Sequence, residues 1–245
     1  MALRIVQLTD LHLLSPGELL MGLDVQQRFQ RVLAAARQLQ PEAYLLTGDF
    51  CAHEPVYAVY ERLKPQLDGL DAPYYLAAGN HDDPQMLRRA FGLQGMAGAP
   101  IYYRVDLKDQ SFLVLDTSPG ELDREQVDWL ATQLRQVPEA TIVMHHPPVP
   151  LGVKFMDQKY PLRTTDRLYE ILTADGTRRR VLCGHYHSVR MVTHRNLDVY
   201  LCPPTSFFIN PQAEEFELRE RGPGYQLLEW LDNGDFRCSS VVVGA

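Results

Sequence analysis

In Leu3-Arg4-Ile5-Val6-Gln7-Leu8-Thr9-Asp10-Leu11-His12 a short apolar run rich in strand formers passes directly into a carboxylate and an imidazole two residues apart. The same join recurs along the chain. Gly48-Asp49 follows the apolar run Ala43 to Thr47, and Gly79-Asn80-His81-Asp82 follows Pro73 to Ala78. His145-His146 follows Thr141 to Met144, and Gly184-His185-Tyr186-His187 follows Arg180 to Cys183. Six of the eight histidines lie in these segments, with only His53 and His194 outside, so chance scatter is a poor account of them. In extended chain, residues two apart point to the same side, so Asp10 with His12, and His185 with His187, are each expected to present two ligands in one direction. Open α/β sheets bind ligands beyond the carboxyl ends of their strands, where all five segments fall.

Between these strands, apolar positions at three- and four-residue steps predict helices. One holds Val25, Phe29, Val32, Leu33, Ala36 and Leu39 after Asp24; others run from Val56 to Leu67, Asp83 to Phe91, Asp123 to Gln136 and near Asp166 to Thr173. Asp123 and Gln126 form a candidate capping box. Ile101 to Val105 and Phe112 to Leu115 read as a hairpin about Asp109. Beyond Gly184 the chain turns to strands, Ser188 to His194, Leu197 to Leu201, Tyr225 to Trp230 and Asp235 to Val243, with turn signals at 196–198 and 232–234. Gly152 to Arg163 and Asn210 to Gly224 are polar and poorly periodic, and read as loops. The expectation is an α/β fold in four layers, α/β/β/α, with two mixed sheets face to face and helices outside. It forms a single domain over residues 1–245, with a catalytic α/β part at about 1–187 and a mainly β part at about 188–245.

Composition bounds the function. With 45% hydrophobic and 22% charged residues the chain is an ordinary globular sequence, not a disordered one. A net charge of −7, with no basic tract beyond Arg178-Arg179-Arg180, argues against a nucleic-acid partner. No apolar run approaches a membrane span, the four cysteines form no CxxC pair, and no signal peptide is evident, so a cytoplasmic protein is expected.

Carboxylate, imidazole and amide oxygen together suit manganese, iron or zinc, whereas a calcium site would use oxygen alone. Taken in order, the five segments resemble the calcineurin-like metallophosphoesterases, whose signature D-x-H, G-D, G-N-H-D, H, G-H-x-H is present in full between Asp10 and His187. His145-His146-Pro147-Pro148 followed by Leu151 to Gln158 is similar to class III cyclic-nucleotide phosphodiesterases and related glycerophosphodiesterases. Gly222 to Glu229 and Asp232-Asn233-Gly234 add a likeness to bacterial cyclic AMP phosphodiesterases.

The resemblance implies two divalent ions, manganese and/or iron with zinc also fitting. Asp10, His12 and His187 would hold the first, Asn80, His145 and His185 the second, and Asp49 would bridge them. It puts the ligand on His145 and leaves His146 to shape the pocket. His81 and Asp82 would be the catalytic pair, His81 serving the phosphoryl oxygens or the leaving alkoxide and Asp82 holding the His81 ring or nearby backbone. The alternative for His81 is a histidine that only orients the ligand shell. Two such cations against two carboxylates leave about +2 on the site, which attracts a phosphodiester anion and lowers the pKa of bound water towards ~7 without a protein nucleophile. Phe155, Met156, Asp157 and Gln158, just past a ligand, are the expected substrate contacts with His146; a surface loop or subunit contact is the other reading of that stretch. The expected reaction is hydrolysis of 3′,5′-cyclic AMP to 5′-AMP, with glycerophosphodiesters or other small phosphoesters as the alternative. A scaffold without catalysis is disfavoured because every ligand position is filled. Family likeness and symmetry favour a homodimer.

Overall fold

Alternate residues of each central strand enter different apolar layers, and this stacks the molecule. A computed structural model describes residues 2–96, 98–163 and 165–244. In chain order its first half holds β1 (Leu3–Leu8), α1 (Val25–Arg37), β2 (Ala43–Thr47), α2 (Tyr57–Asp68), β3 (Tyr74–Ala77), α3 (Pro84–Phe91), β4 (Tyr103–Leu107), β5 (Gln110–Val114) and α4 (Arg124–Gln136). The second half holds β6 (Thr141–Val143), α5 (Lys154–Lys159), α6 (Thr165–Thr173), β7 (Arg179–Cys183), β8 (Arg190–His194), β9 (Leu197–Leu201), β10 (Phe208–Ile209), β11 (Leu218–Arg219), β12 (Gly224–Trp230) and β13 (Phe236–Val242). One sheet runs β13-β12-β1-β2-β3 in space, the other β4-β5-β6-β7-β9-β8, and β10 pairs only with β11. Both large sheets are mixed. β1, β2 and β3 are mutually parallel, as are β5, β6, β7 and β9, with antiparallel strands at the margins.

Leu3 and Ile5 of β1, Ala43 and Leu45 of β2, Phe112 and Val114 of β5, Val143 of β6 and Leu182 of β7 meet between the sheets. Their neighbours face outward. Val6, Leu8, Tyr44 and Leu46 pack with Phe29, Val32, Val59 and Leu63 of α1 and α2. Leu113, Ile142, Val181 and Cys183 pack with Leu130, Leu134, Leu168 and Leu172 of α4 and α6. Each fully buried aliphatic side chain is worth roughly 1.5–3 kcal/mol, so a one-residue slip, which would exchange the two faces, is strongly opposed. The fold is therefore mixed α/β, with two large sheets and helices on their outer faces.

Asp24 caps α1 by accepting from the Gln27 N–H at 2.8 Å, and Asp83 caps α3 from Met86 at 2.8 Å with Pro84 opening the helix. Asp123 likewise accepts from Gln126 at 2.7 Å. The reciprocal half of that capping box does not form. The Gln126 side chain instead donates to the Asp116 carbonyl at 2.9 Å and accepts from the Asp116 N–H, tying α4 to the end of β5. Two expected loops contain structure: α5 lies within 152–163, and β11, paired with β10 just ahead of the loop, within 210–224. The turn expected at 196–198 sits one residue earlier, with Arg195 at φ +54° and Leu197 already in β9. The carboxyl-terminal strands form no separate layer, since β12 and β13 join β1 while β8 and β9 extend the other sheet.

Arg179 at the start of β7 is 1% exposed, and its guanidinium donates to both oxygens of Asp175 at 2.8 and 2.5 Å and to the Leu172 carbonyl at 2.7 Å. Hydrogen bonding to Arg179 holds the Asp175 carboxyl well below its ordinary range. Asp175→Asn should therefore lower stability at pH 7 by about 1–2 kcal/mol, less than for a fully buried pair because Asp175 is half exposed. A depressed carboxyl pKa contributes fully above the unfolded value near ~3.9 and is lost progressively as pH falls from there towards the depressed folded value, so the difference from wild type should begin to narrow below about pH 4 and close only at strongly acid pH. Denaturant titrations at pH 7 and in steps from about pH 4 down to about pH 2 check this; a gap that does not shrink across that range would refute it.

Candidate metal centre and cleft

Five of the expected ligands leave their strands in the left-handed backbone region: Asp10 (φ 52°), His12 (48°), Asp49 (57°), His185 (71°) and His187 (46°). Asp and His tolerate this conformation better than most residues, and such strain gathers at functional sites. The extended geometry expected for Asp10 to His12 and His185 to His187 is thus replaced by tight turns. Backbone bonds hold the turns together: Asp10 N–H donates to the Gly48 carbonyl at 3.0 Å, and His12 N–H to that of Asp49 at 2.9 Å. A Cβ on Gly79 would stand 2.3 Å from Asp49 Oδ1, so a glycine is required where the two loops touch.

The turns deliver two groups of buried donors. Asp10, His12, Asp49 and His187 offer atoms within 4.8 Å of one another, and so do Asp49, His145 and His185. Asp49 belongs to both. Asn80 sits beside the second group, its Oδ1 3.2 Å from His145 Nε2. His185 and His187, expected to point together, divide between the groups. His146 belongs to neither.

Each histidine of these groups is turned by a backbone carbonyl. His12 Nδ1 lies 3.3 Å from the Ala52 oxygen, His145 Nδ1 2.7 Å from Thr47, and His187 Nδ1 2.8 Å from Phe207. His185 uses Nε2, at 2.9 Å from the Tyr160 oxygen. A carbonyl only accepts, so each bonded nitrogen carries a proton and the opposite nitrogen is the one turned inward, with a bare lone pair where the ring is neutral. His12 Nε2 and His187 Nε2 then face each other at 3.0 Å, an arrangement that repels unless a cation lies between. Burial pulls His12 down to about 4 and His185 to about 3, and takes His187 well below its usual value, which keeps these rings neutral.

The carboxylates behave in keeping. Burial, reinforced by the Asp49 charge, pushes Asp10 up to about 7. For His145, burial is outweighed by the charge and hydrogen bond of Asp49, which hold it up at about 9, and the same pairing takes Asp49 well below the carboxylate range. Two buried carboxylates ringed by lone pairs cost several kcal/mol per charge unless countered, and divalent cations counter them. The Asp/His set is positioned to hold a dinuclear metal site.

Asp82 lies behind the donors. Its oxygens accept from the N–H groups of Asp49 (2.8 Å), Phe50 (3.0 Å) and Gly79 (2.9 Å) and from the Tyr60 hydroxyl (3.1 Å). Burial and the Asp49 charge push its carboxyl up to about 7, while these four donors favour the carboxylate. The expected hold on the His81 ring is not what Asp82 makes; its hold on neighbouring backbone is. The His81 ring is instead fixed by its Nδ1, 2.8 Å from the His53 carbonyl, and the His81 backbone N–H donates to Asp49 Oδ1 at 2.9 Å.

A cleft of about 430 Å³ opens beside the second group, and its lining includes Asn80, His146 and His185 together with Ser118, Gln158 and Arg163. His146 and Gln158 thus stand where substrate contacts were expected. Phe155, Met156 and Asp157 do not. Phe155 and Met156 are buried in the core beneath α5, and Asp157 accepts from the N–H groups of Leu151, Gly152 and Val153, locking the turn that precedes the helix. In a helix, neighbours point to different faces, which a loop reading did not anticipate. Ser118 and Arg163 were missed. Asp116-Thr117-Ser118 follows β5 by the same strand-end rule, but it lacks histidine and drew no attention.

The family model described as calcineurin-like phosphoesterase matches residues 3–189. The chain belongs to that family. It is an enzyme of the metallophosphoesterase kind. A 3′,5′-cyclic adenosine monophosphate phosphodiesterase from Pseudomonas aeruginosa is 30% identical to it over 241 residues, covering 94% of this chain and 86% of the relative. A probable glycerophosphodiester phosphodiesterase from Arcobacter nitrofigilis is 28% identical over 257 residues, covering 98% and 91%. In three dimensions it is similar to a dimetal phosphatase from Danio rerio, with a TM-score of 0.66, 11% identity and 99% of each chain covered, a likeness of fold. Among the described residues no helix is long and apolar enough to cross a membrane.

Proposed function

We propose that this chain hydrolyses a small phosphodiester, with conversion of 3′,5′-cyclic AMP to 5′-AMP as the leading reaction. The observation that carries the reading is the pair of donor groups sharing Asp49 and opening onto a cleft of about 430 Å³, a volume in the range of small-ligand sites. Asp10, His12, Asp49 and His187 would hold one divalent ion, and Asp49, Asn80, His145 and His185 the other, manganese and iron suiting the donors best and zinc also fitting. When bound, such ions polarise the phosphoryl group and activate water at neutral pH.

The protein's own groups orient the rest. Asp82 fixes the Asp49 and Gly79 backbone, so the shared carboxylate is aimed before substrate arrives. His81, whose Nδ1–H donates to the His53 carbonyl, leaves Nε2 for the departing alkoxide and would protonate it as the imidazolium. Arg163 and Gln158 offer donors to the anionic and polar parts of the substrate. The reading extends to one catalytic domain, supported by carboxyl-terminal strands shared between both sheets, and to a reducing cytoplasm, supported by four free cysteines of which three are buried. The Arcobacter relative favours glycerophosphodiesters as the second reading.

His81→Ala should retain both metals and lose about 10²–10⁴-fold in kcat, the usual worth of a general acid. Elemental analysis beside kinetics checks it, and loss of metal would mean that His81 is a ligand. Substrate identity is read from kcat/KM for cyclic AMP, cyclic GMP, glycerophosphoethanolamine and an aryl diester on manganese-loaded enzyme. Cyclic AMP should lead; values below about 10³ M⁻¹s⁻¹ for all four would overturn the substrate reading.

A further inference from the structure

His146 departs from the pattern of the ligand histidines in one respect: its ring nitrogen meets a hydroxyl, not a carbonyl. Nδ1 lies 3.0 Å from Thr117 Oγ1, and the same oxygen accepts the His146 backbone N–H at 3.1 Å. Thr117 is fully buried, and among the described residues its hydroxyl has no other hydrogen-bond partner. A buried hydroxyl hydrogen needs an acceptor. If Nδ1 carried the ring proton, that hydrogen would have none and an unsatisfied buried donor would remain. With the hydroxyl donating to Nδ1, both the hydroxyl and Nδ1 are satisfied and the ring proton moves to Nε2. Among the described residues Nε2 has no hydrogen-bond partner, yet it is not among the buried unpaired atoms, and His146 lines the cleft. Its ring stands 4.1 Å from that of His185.

We propose that Thr117 sets His146 in the Nε2–H tautomer, so that it acts as a neutral N–H donor to a non-bridging phosphoryl oxygen of substrate in the cleft. Two adjacent histidines thereby take opposite roles: the Thr47 carbonyl makes His145 a lone-pair donor to metal, and the Thr117 hydroxyl makes His146 a hydrogen-bond donor to substrate. Thr117 is a positioning residue. The role in catalysis rests on the phosphodiesterase reading; the tautomer does not.

Long-range ¹H–¹⁵N correlation on the zinc-loaded protein, with His146 assigned by the loss of its signals in His146→Gln, should show Nε2 protonated and Nδ1 bare. The reverse pattern overturns the proposal. On bis-p-nitrophenyl phosphate, His146→Ala should lose about 10²–10³-fold in kcat/KM, the usual worth of one such donor, with both metals retained. His146→Gln, whose amide N–H takes the ε position, should stay within about tenfold of wild type. Thr117→Val should mix the tautomers and lower the rate about tenfold, and Thr117→Ser should restore both. Loss of metal in His146→Ala, or a Gln variant as slow as Ala, would refute the donor role. If the loaded wild type cleaved no diester, the phosphodiesterase reading would fail while the ¹⁵N pattern still judged the tautomer.

Discussion

Asp49→Asn is expected to empty both metal positions together and to reduce diester hydrolysis by at least about 10⁴-fold. Asp49 is the one residue common to the two donor groups, and its Oδ2 lies 3.4 Å from His12 Nε2 and 3.3 Å from His145 Nε2. An amide keeps one acceptor but removes the negative charge on which two divalent cations depend. It also turns an N–H₂ group towards lone pairs or towards the His81 N–H, which now donates to Oδ1 at 2.9 Å. Asn80→Ala, which touches only the second group, should by contrast lower metal content from two towards one. Elemental analysis of both variants separates the cases. If Asp49→Asn kept two metals and lost only rate, the carboxylate would not be shared and the grouping of donors would need redrawing.

What the primary structure disclosed, and what it withheld, follows from the range over which each signal acts. The central strands were legible because burial on both faces writes continuous apolar runs, as in Ala43 to Thr47 and Thr141 to Val143. Caps at Asp24 and Asp123 were legible because a carboxylate three residues before an N–H is a local event. β10 and β11 were not, since two-residue strands have no period to detect. α5, at six residues, is under two turns, and so Phe155 and Met156 were read as cleft residues when the helix turns them into the core.

At the site, residue types and strand-end positions pointed to the donors, but not to the way they are aimed. Left-handed turns at Asp10, His12, His185 and His187 replace the alternation of extended chain, and this sends His185 and His187 to different groups. Carbonyls from Thr47, Ala52, Tyr160 and Phe207 turn the rings, and a backbone carbonyl leaves no mark in sequence. Gln126 illustrates the same limit: a capping residue by spacing, it is claimed by Asp116 because tertiary packing brings both lone pair and N–H of that residue within reach.

Asp82→Ala should be among the most destabilising single changes near the site, by about 3 kcal/mol or more. It strips acceptors from three backbone N–H groups and the Tyr60 hydroxyl, all in buried surroundings where each unmet donor costs about 1–3 kcal/mol before water or relaxation recovers part. Two of those N–H groups belong to Asp49 and Gly79, so the shared carboxylate should lose its aim and metal affinity should fall with stability. Asp82→Asn separates support from chemistry. It preserves size and one acceptor but points an N–H₂ group at backbone N–H, so an intermediate loss of stability and of metal affinity is expected, with the pH profile of kcat unmoved once metal saturates the protein. Denaturant titration, metal titration and kinetics at several pH values read these outcomes. A variant with full stability and two metals but a displaced pH profile would make Asp82 a proton-transfer group, and the four hydrogen bonds that now occupy its oxygens would have to break during turnover to allow it.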